Sequence, residues 1–477
     1  MSFILEFDWP LWINLVFFIV MLFMIAKDSM DRSSLVIIIA ILSFGVVVFF
    51  KGIPILEVFE LLFGSAEDNY TNARTIVLIF SISIIAFFSQ RSGLFQFVAF
   101  KVIQITKGNP ARLLILNSML TFLVGAILAD SITAIIMIPL TVTICRTLKL
   151  DAVPFLILQA MFIKLGATVL PISSIPAIMI TADQNITFAE YVPVSMTVSG
   201  SIALGTAIIF ALIYRKSFTM PSEKQVEIFM NFSAWMFVKD KQMMINISII
   251  FFSVIVGLIV IPPSIAGPDA IAMVGAGVAL FVNRKHGIQV MKEMDFDLLI
   301  YLLAVFVITG CLQIVGLIDL IGSFLTSLKI TDPSIAFLIL LWIGALASAF
   351  IDNIPITKIL LSLINILMGE RGSPNAKLGS LGLALGVIWG DNLTPFGDSI
   401  LPITIAGNHG VKIEPKQFLR VSAITTLTQL TVVSLIILSL FSPIFIIIDI
   451  IIVGVIGLLF YLKKRSSRIK AINLPSN

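Results

Sequence analysis

Two apolar stretches, about 111–147 and 333–368, are each long enough to cross a bilayer and return, and each is broken near its middle by an aspartate, Asp130 or Asp352. A spanning helix needs roughly 20 largely apolar residues. A stretch of nearly twice that length with a charged centre reads as a hairpin that enters and leaves on one side. Few folds allow this, because non-helical backbone at membrane depth persists only where protein buries it or where it lines a watery cavity.

The two stretches belong to a wider self-similarity. Asp130 falls on Asp352 at a spacing of 222, and Gly166, Pro171, Ala182 and Glu190 fall on Gly390, Pro395, Ala406 and Glu414 at 224. Gln90 and Gly93-Leu94 fall on Gln313 and Gly316-Leu317 at 223. A duplicated membrane chain with apolar segments interrupted at matching places is the sequence mark of a transporter's binding site.

Composition fits this reading. The chain of 477 residues is 58% apolar and only 12% charged, against about 25% charge in a soluble domain. The longest polar stretch, around Arg215 to Lys241, is itself rich in Phe, Met and Trp and reads as an interfacial helix. Basic residues are spread over many loops, so a net charge of +4 does not suggest nucleic acid. Cys145 and Cys311 sit one in each half without metal-ligand spacing. The first apolar run follows Glu6 and Asp8 and precedes Lys27, the reverse of a secretory signal, so it reads as an uncleaved span.

The resulting expectation is an all-α polytopic membrane protein of two inverted repeats, five spans each, with an extra C-terminal span. Residues 1–214 form the first repeat, with a hairpin at about 111–147, a broken helix at about 153–182 and spans at about 11–26, 35–50, 74–90 and 190–214. Residues 215–241 form a cytoplasmic linker. Residues 242–441 form the second repeat, with a hairpin at about 333–368, a broken helix at about 377–407 and spans at about 243–262, 268–283, 295–314 and 418–441. Residues 442–477 hold a last span, about 444–462, and a basic tail. Under this threading 24 of the 31 Lys and Arg lie on one side, five on the other, and Lys164 and Lys358 inside apolar segments. By the positive-inside rule the N-terminus is then external and the C-terminus cytoplasmic, in a cell membrane.

Four carboxylates lie inside apolar stretches: Asp130, Asp352, Asp391 and Asp398. Asp is a favoured helix N-cap, and a cap at a hairpin tip also faces the cavity. An Asp at the bilayer centre costs about 2.5–3.5 kcal/mol on insertion scales, so such acids are rare and usually functional. Pro171 and Pro176 bracket Ser173 and Ser174, and Pro395 and Gly397 follow Asn392 and Thr394. Neither segment can be an uninterrupted helix. Broken helices direct N–H groups at anions and carbonyls at cations, so the architecture does not choose the sign of the substrate. Lys164 and Lys358 either snorkel to an interface or pair with an acid, Lys358 lying six residues beyond Asp352. No phosphate loop, metal cluster or nucleophile set is present, so no catalytic residues, cofactor or bound nucleotide are expected, and an ion gradient becomes the expected energy source.

At Asp130-Ser-Ile-Thr-Ala, Gly166-Ala-Thr-Val-Leu-Pro-Ile-Ser-Ser-Ile-Pro, Ser348-Ala-Phe-Ile-Asp-Asn-Ile-Pro-Ile-Thr357 and Gly390-Asp-Asn-Leu-Thr-Pro-Phe-Gly-Asp398, the chain resembles the ion transporter superfamily. The likeness is to the branch of arsenite permeases, D-type sodium/proton antiporters, the P protein and citrate-transporter-like permeases, over about residues 30–440. The resemblance implies hairpin tips meeting two unwound helices at a central site, in a homodimer moving like an elevator. It places Asp130, Ser131, Thr133, Asp352, Asn353 and Thr357 at the tips, and Thr168, Ser173, Ser174, Asp391, Asn392, Thr394 and Asp398 in the unwound segments. Ala177 stands where many relatives have Asn. Two acids stand in the second segment where relatives often have small neutral residues, which disfavours an oxyanion.

The functional expectation is a secondary active cation/proton antiporter, coupled to H+ or Na+, with Na+ held at the same site. The alternative is an anion transporter for arsenite or a di- or tricarboxylate such as citrate. An intramembrane aspartyl protease also needs two membrane Asp residues, but its Gly-x-Gly-Asp signature is replaced here by Ile388-Trp389-Gly390 before Asp391.

Overall fold

The computed structural model of the chain describes residues 8–26, 31–330, 332–394 and 400–441. Among them are twenty-one α-helices, two short 3-10 helices and no strand, and eight helices are long and apolar enough to cross a membrane. The molecule is an all-α polytopic membrane protein. The final span expected at 444–462, and Asp398, lie outside the described residues. The chain divides into two compact units, 1–426 and 427–477, and everything said below of the site concerns the first.

Local chemistry sets the helix limits. Asp31 caps helix Arg32–Lys51 by accepting from the Ser34 amide, and Gly52, at φ +67°, ends it. Asn109 and Pro110 start the first hairpin arm, Pro110–Ile127. Asp332 and Pro333 start the corresponding arm Pro333–Ser348. Proline suits the first turn, where its missing N–H has no partner to lose. The turns after Gln90 and Gln313 pass through Gly93 (φ +78°) and Gly316 (φ +86°) into short helices Leu94–Gln104 and Leu317–Ser327. Helix Glu57–Phe63 was not foreseen; at seven residues between Pro54 and Gly64 it is too short to show a period.

Both interrupted stretches turn where the aspartates stand. In the first, Leu128 and Ala129 separate Pro110–Ile127 from Asp130–Thr147. The Thr141 hydroxyl on the second arm donates to Asn117 Oδ1 on the first at 3.2 Å, so the arms run back along each other. In the second, a turn separates Pro333–Ser348 from Asn353–Met368. Each is followed by a helix that stops and restarts. Val153–Ala167 gives way to irregular backbone and then Ile175–Asp183. Pro374–Gly390 gives way to the 3-10 turn Asp391–Leu393, and a helix resumes at Ile400–Asn408. Pro176 occupies the first turn of its half-helix, so there it marks a restart rather than a kink. The linker forms Glu223–Asn231 and the turn Ala234–Phe237. Gln104 clamps it to helix Leu94–Gln104 by donating to carbonyls of Met230 and Phe232 at 3.2 and 3.0 Å.

Glycine lets each broken helix lie against its hairpin. A Cβ on Gly166 would collide with the Phe122 carbonyl oxygen, and one on Gly390 with the Ala345 carbonyl oxygen. Gly205, on helix Phe188–Tyr214, faces open space. We expect Gly166→Ala and Gly390→Ala each to destabilise the folded protein by about 1–3 kcal/mol through overpacking. Gly205→Ala should be neutral or stabilising by up to about 1 kcal/mol through helix propensity. Unfolding in mixed detergent micelles measures all three.

Candidate functional site

The last turn of helix Val153–Ala167 carries Lys164, only 2% exposed. Its ammonium lies 2.7 Å from Asp130 Oδ2, at the tip of the first hairpin, and 2.8 Å from Asp391 Oδ2, where helix Pro374–Gly390 breaks. Asp391 is buried and its other contacts come from the second hairpin. Ser348 Oγ is 2.6 Å from Asp391 Oδ1, and Asn353 Nδ2 donates to Oδ2 at 2.9 Å. Three other helices, Val153–Ala167, Pro333–Ser348 and Asn353–Met368, therefore converge on one carboxylate. Burial of a charge is expensive unless it is paired and hydrogen-bonded, and here both conditions are met. Two carboxylates against one ammonium leave the cluster formally at −1.

A cavity of about 220 Å³ opens over these tips. Its wall includes Asp130, Asp352, Asp295 and Asp297, opposed by Arg32 and Lys164. Asp295 and Asp297 are exposed and stand at the start of helix Phe296–Ile314, so the cavity runs from solvent down to the buried pair. Acids outnumber bases on this wall, four to two.

The residues singled out in the sequence divide into two sets. Asp130, Ser131, Lys164, Ser173, Ser174, Asp352 and Asn353 line the cavity, and Asp391 lies directly behind Lys164. Ser174 precedes Ile175–Asp183 without a side-chain cap bond. The others brace the site. Thr133 donates to the Leu128 carbonyl at 3.3 Å and Thr357 to the Asn353 carbonyl at 2.6 Å. Thr168 is 2.8 Å from Ser199 Oγ, Asn392 donates to the Met161 carbonyl at 3.3 Å, and Thr394 donates to the Ala349 carbonyl. Asp398 is outside the described residues. Among the described residues no group of three or more His, Cys, Asp or Glu is placed to hold a metal ion.

The two tip aspartates have different roles. Asp352 caps its helix, accepting from the Ile354 amide at 2.9 Å. Asp130 is the first helical residue of its arm and turns to Lys164 instead. Lys358 does not join an acid at the tips. It donates to Asn72 Oδ1 at 2.8 Å and lies 5.1 Å from the centre of the Phe306 ring.

Sequence reasoning missed Arg32, Asp295, Asp297 and Ser348. The first three stand at helix starts and look like ordinary loop charges. Ser348 had a signal: it is the last residue of the first arm, four residues before Asp352 and next to the turn.

A charged cavity among hairpin tips and interrupted helices defines a membrane transporter, not an enzyme. Residues 19–378 match the family described as "CitMHS: Citrate transporter", and the chain belongs to that family. It is 23% identical to a 46 kDa membrane protein of Mycobacterium leprae, covering 87% of this chain and 95% of that one. It is 22% identical to an uncharacterized transporter of Mycobacterium tuberculosis, covering 76% and 84%. It is 21% identical to the P protein of Sus scrofa, covering 74% and 51%. The fold is similar to the crystal structure of the Alcanivorax borkumensis YdaH transporter, with a TM-score of 0.56, 12% identity and coverage of 90% and 97%.

Removing the ammonium should strand a buried carboxylate. Lys164→Met is expected to cost about 3–5 kcal/mol. Combined with Asp391→Asn, the loss should fall short of the sum of the single changes by about 1–3 kcal/mol. Equilibrium unfolding of the four proteins in micelles checks this; additive losses would show that the pair contributes nothing as a pair.

Proposed function

We propose that the chain is a secondary active antiporter exchanging a monovalent cation such as Na+ for H+, with Lys164, Asp130 and Asp391 as the exchange centre. The observation that carries this is the Lys164 ammonium bridging Asp130 and Asp391 at 2.7 and 2.8 Å. A small cation needs the same carboxylate oxygens. When Lys164 gives up its proton, the pair retains two negative charges and one cation can take the ammonium's place. One cation then enters for one proton released, and the cluster keeps its charge at −1. Ser348 and Asn353, already on Asp391, hold its oxygens in place through the exchange.

The 24-to-five division of basic residues supports a cytoplasmic C-terminus, which puts Asp295, Asp297 and the cavity mouth on the cytoplasmic side. The hairpins and broken helices would be the moving part of an elevator-like homodimer. The Lys358–Asn72 bond marks where that part meets helix Thr71–Ser92.

A second reading has its own support in the family's description as a citrate transporter. Arg32 and Lys164 line the cavity, and so does the uncapped N-terminus of Ile175–Asp183, a backbone arrangement suited to carboxylates.

In proteoliposomes, an outward Na+ gradient should drive proton movement that a pH-sensitive dye reports, and Asp391→Asn should abolish it. With one proton displaced per cation, apparent Na+ affinity should rise about tenfold per pH unit while Lys164 still carries its proton. Wild-type coupling retained in Asp391→Asn would sink the antiport assignment. Proton movement driven by citrate but not by Na+ would establish the second reading.

A further inference from the structure

Inside the first hairpin, away from the cavity wall, lies a seam of five polar side chains. Asn117, Ser118 and Thr121 come from the first arm, Thr141 from the second and Gln159 from the broken helix that packs on them. All are at most 2% exposed. Gln159 Nε2 donates to Thr121 Oγ1 at 3.1 Å and approaches the Met137 carbonyl at 3.4 Å. Thr141 donates to Asn117 Oδ1 at 3.2 Å and Thr121 to the Asn117 carbonyl at 2.8 Å. Asn117 Nδ2, Ser118 Oγ and Gln159 Oε1 find no partner among the described residues. Each such buried group costs about 1–3 kcal/mol unless something satisfies it.

The second half shows that packing does not require these residues. Gly166 abuts Phe122 and Gly390 abuts Ala345, which fixes a spacing of 223 along the first arms. There Asn117, Ser118 and Thr121 correspond to Leu340, Leu341 and Gly344, while Thr141 corresponds to Leu363 at 222 and Gln159 to Leu383 at 224. The four leucines are buried. At these positions the second half is apolar; the first holds a seam that combines donor and acceptor.

We infer that this seam binds water and relays protons between Lys164 and the end of the hairpin near Pro110 and Thr147. The chemistry selects the guest: Asn117 Nδ2 needs an acceptor, Gln159 Oε1 needs a donor, and Ser118 takes either role. Water supplies both; a bare cation or a halide supplies only one. Gln159 sits five residues before Lys164 on the same helix, about 7.5 Å along its axis and roughly 140° around it, so water beyond the seam completes the path between them. Asn117 continues one turn beyond Thr121, toward Pro110. The relay rests on the antiport reading above, whereas the hydration does not.

Hydroxyl-radical footprinting of the wild-type protein in vesicles tests the water. Met137, fully buried, lies one turn before Thr141 on the same helix face. Radicals generated from water inside the seam should oxidise it well ahead of Met179, which is slightly more exposed at 3%, and Asn117→Leu/Gln159→Leu should remove the difference. The same variant should keep its Na+-induced thermal shift but exchange protons roughly a hundredfold more slowly, the low end of what a positioned proton donor contributes. Met137 labelled no faster than Met179 would overturn the hydrated seam, and wild-type exchange rates in the variant would overturn the relay. Failure of the antiport reading would show separately, as wild-type vesicles in which Na+ moves no protons.

Discussion

The site is built around one ammonium group at the buried end of the cavity, only 2% exposed. Lys164 is held 2.7 and 2.8 Å from two carboxylates that come from opposite halves of the chain. Desolvating three charges is unfavourable, and the arrangement survives only because each partner is fixed by further contacts. Asp391 receives Asn353 and lies against Ser348, which ties the second broken helix to the second hairpin. Asp130 ties the first hairpin to the first broken helix through Lys164. Four interrupted elements are joined at their breaks by one charge cluster, beside the close packing that Gly166 and Gly390 allow.

That cluster also breaks the symmetry of the duplicated chain. At the spacing of 224, Lys164 corresponds to Ile388 and Asp391 to Ala167. The first half contributes the cation and its partner Asp130, and the second half contributes the buried acid Asp391. At 223, Gly125 corresponds to Ser348, so the hydroxyl beside Asp391 is likewise found in one half only.

The sequence was informative where a physical rule acts locally. Hairpin turns at Asp130 and Asp352, and helix interruptions after Gly166 and Gly390, follow from charge and proline inside apolar segments, and the described breaks fall there. It was less informative about which polar atoms meet. Thr133, Thr168, Thr357 and Asn392 share the motifs of the cavity residues but spend their hydrogen bonds on backbone carbonyls or a buried serine, bracing the breaks. Lys164 and Lys358 looked alike as lone lysines in apolar stretches, yet one bridges acids and the other meets Asn72 and an aromatic ring. Partners more than 200 residues away made the difference, and no spacing rule reaches that far.

Arg32, Asp295 and Asp297 carry the same lesson into function. As loop charges they weigh only in the count that orients a chain, but the fold sets them on the wall of the cavity above Asp130 and Asp352. Four carboxylates stand on that wall against two cations, so its formal charge is negative, which suits the cation proposed above better than an anion. An anion entering the same way must be drawn in by Arg32 and the half-helix N-terminus against that charge. It would also have to displace Lys164 from carboxylates that repel it. A cation meets the opposite case, with its competitor already seated at the end of the path. The cation reading thus needs one displacement, whereas the anion reading needs a displacement and a reversal of the local charge.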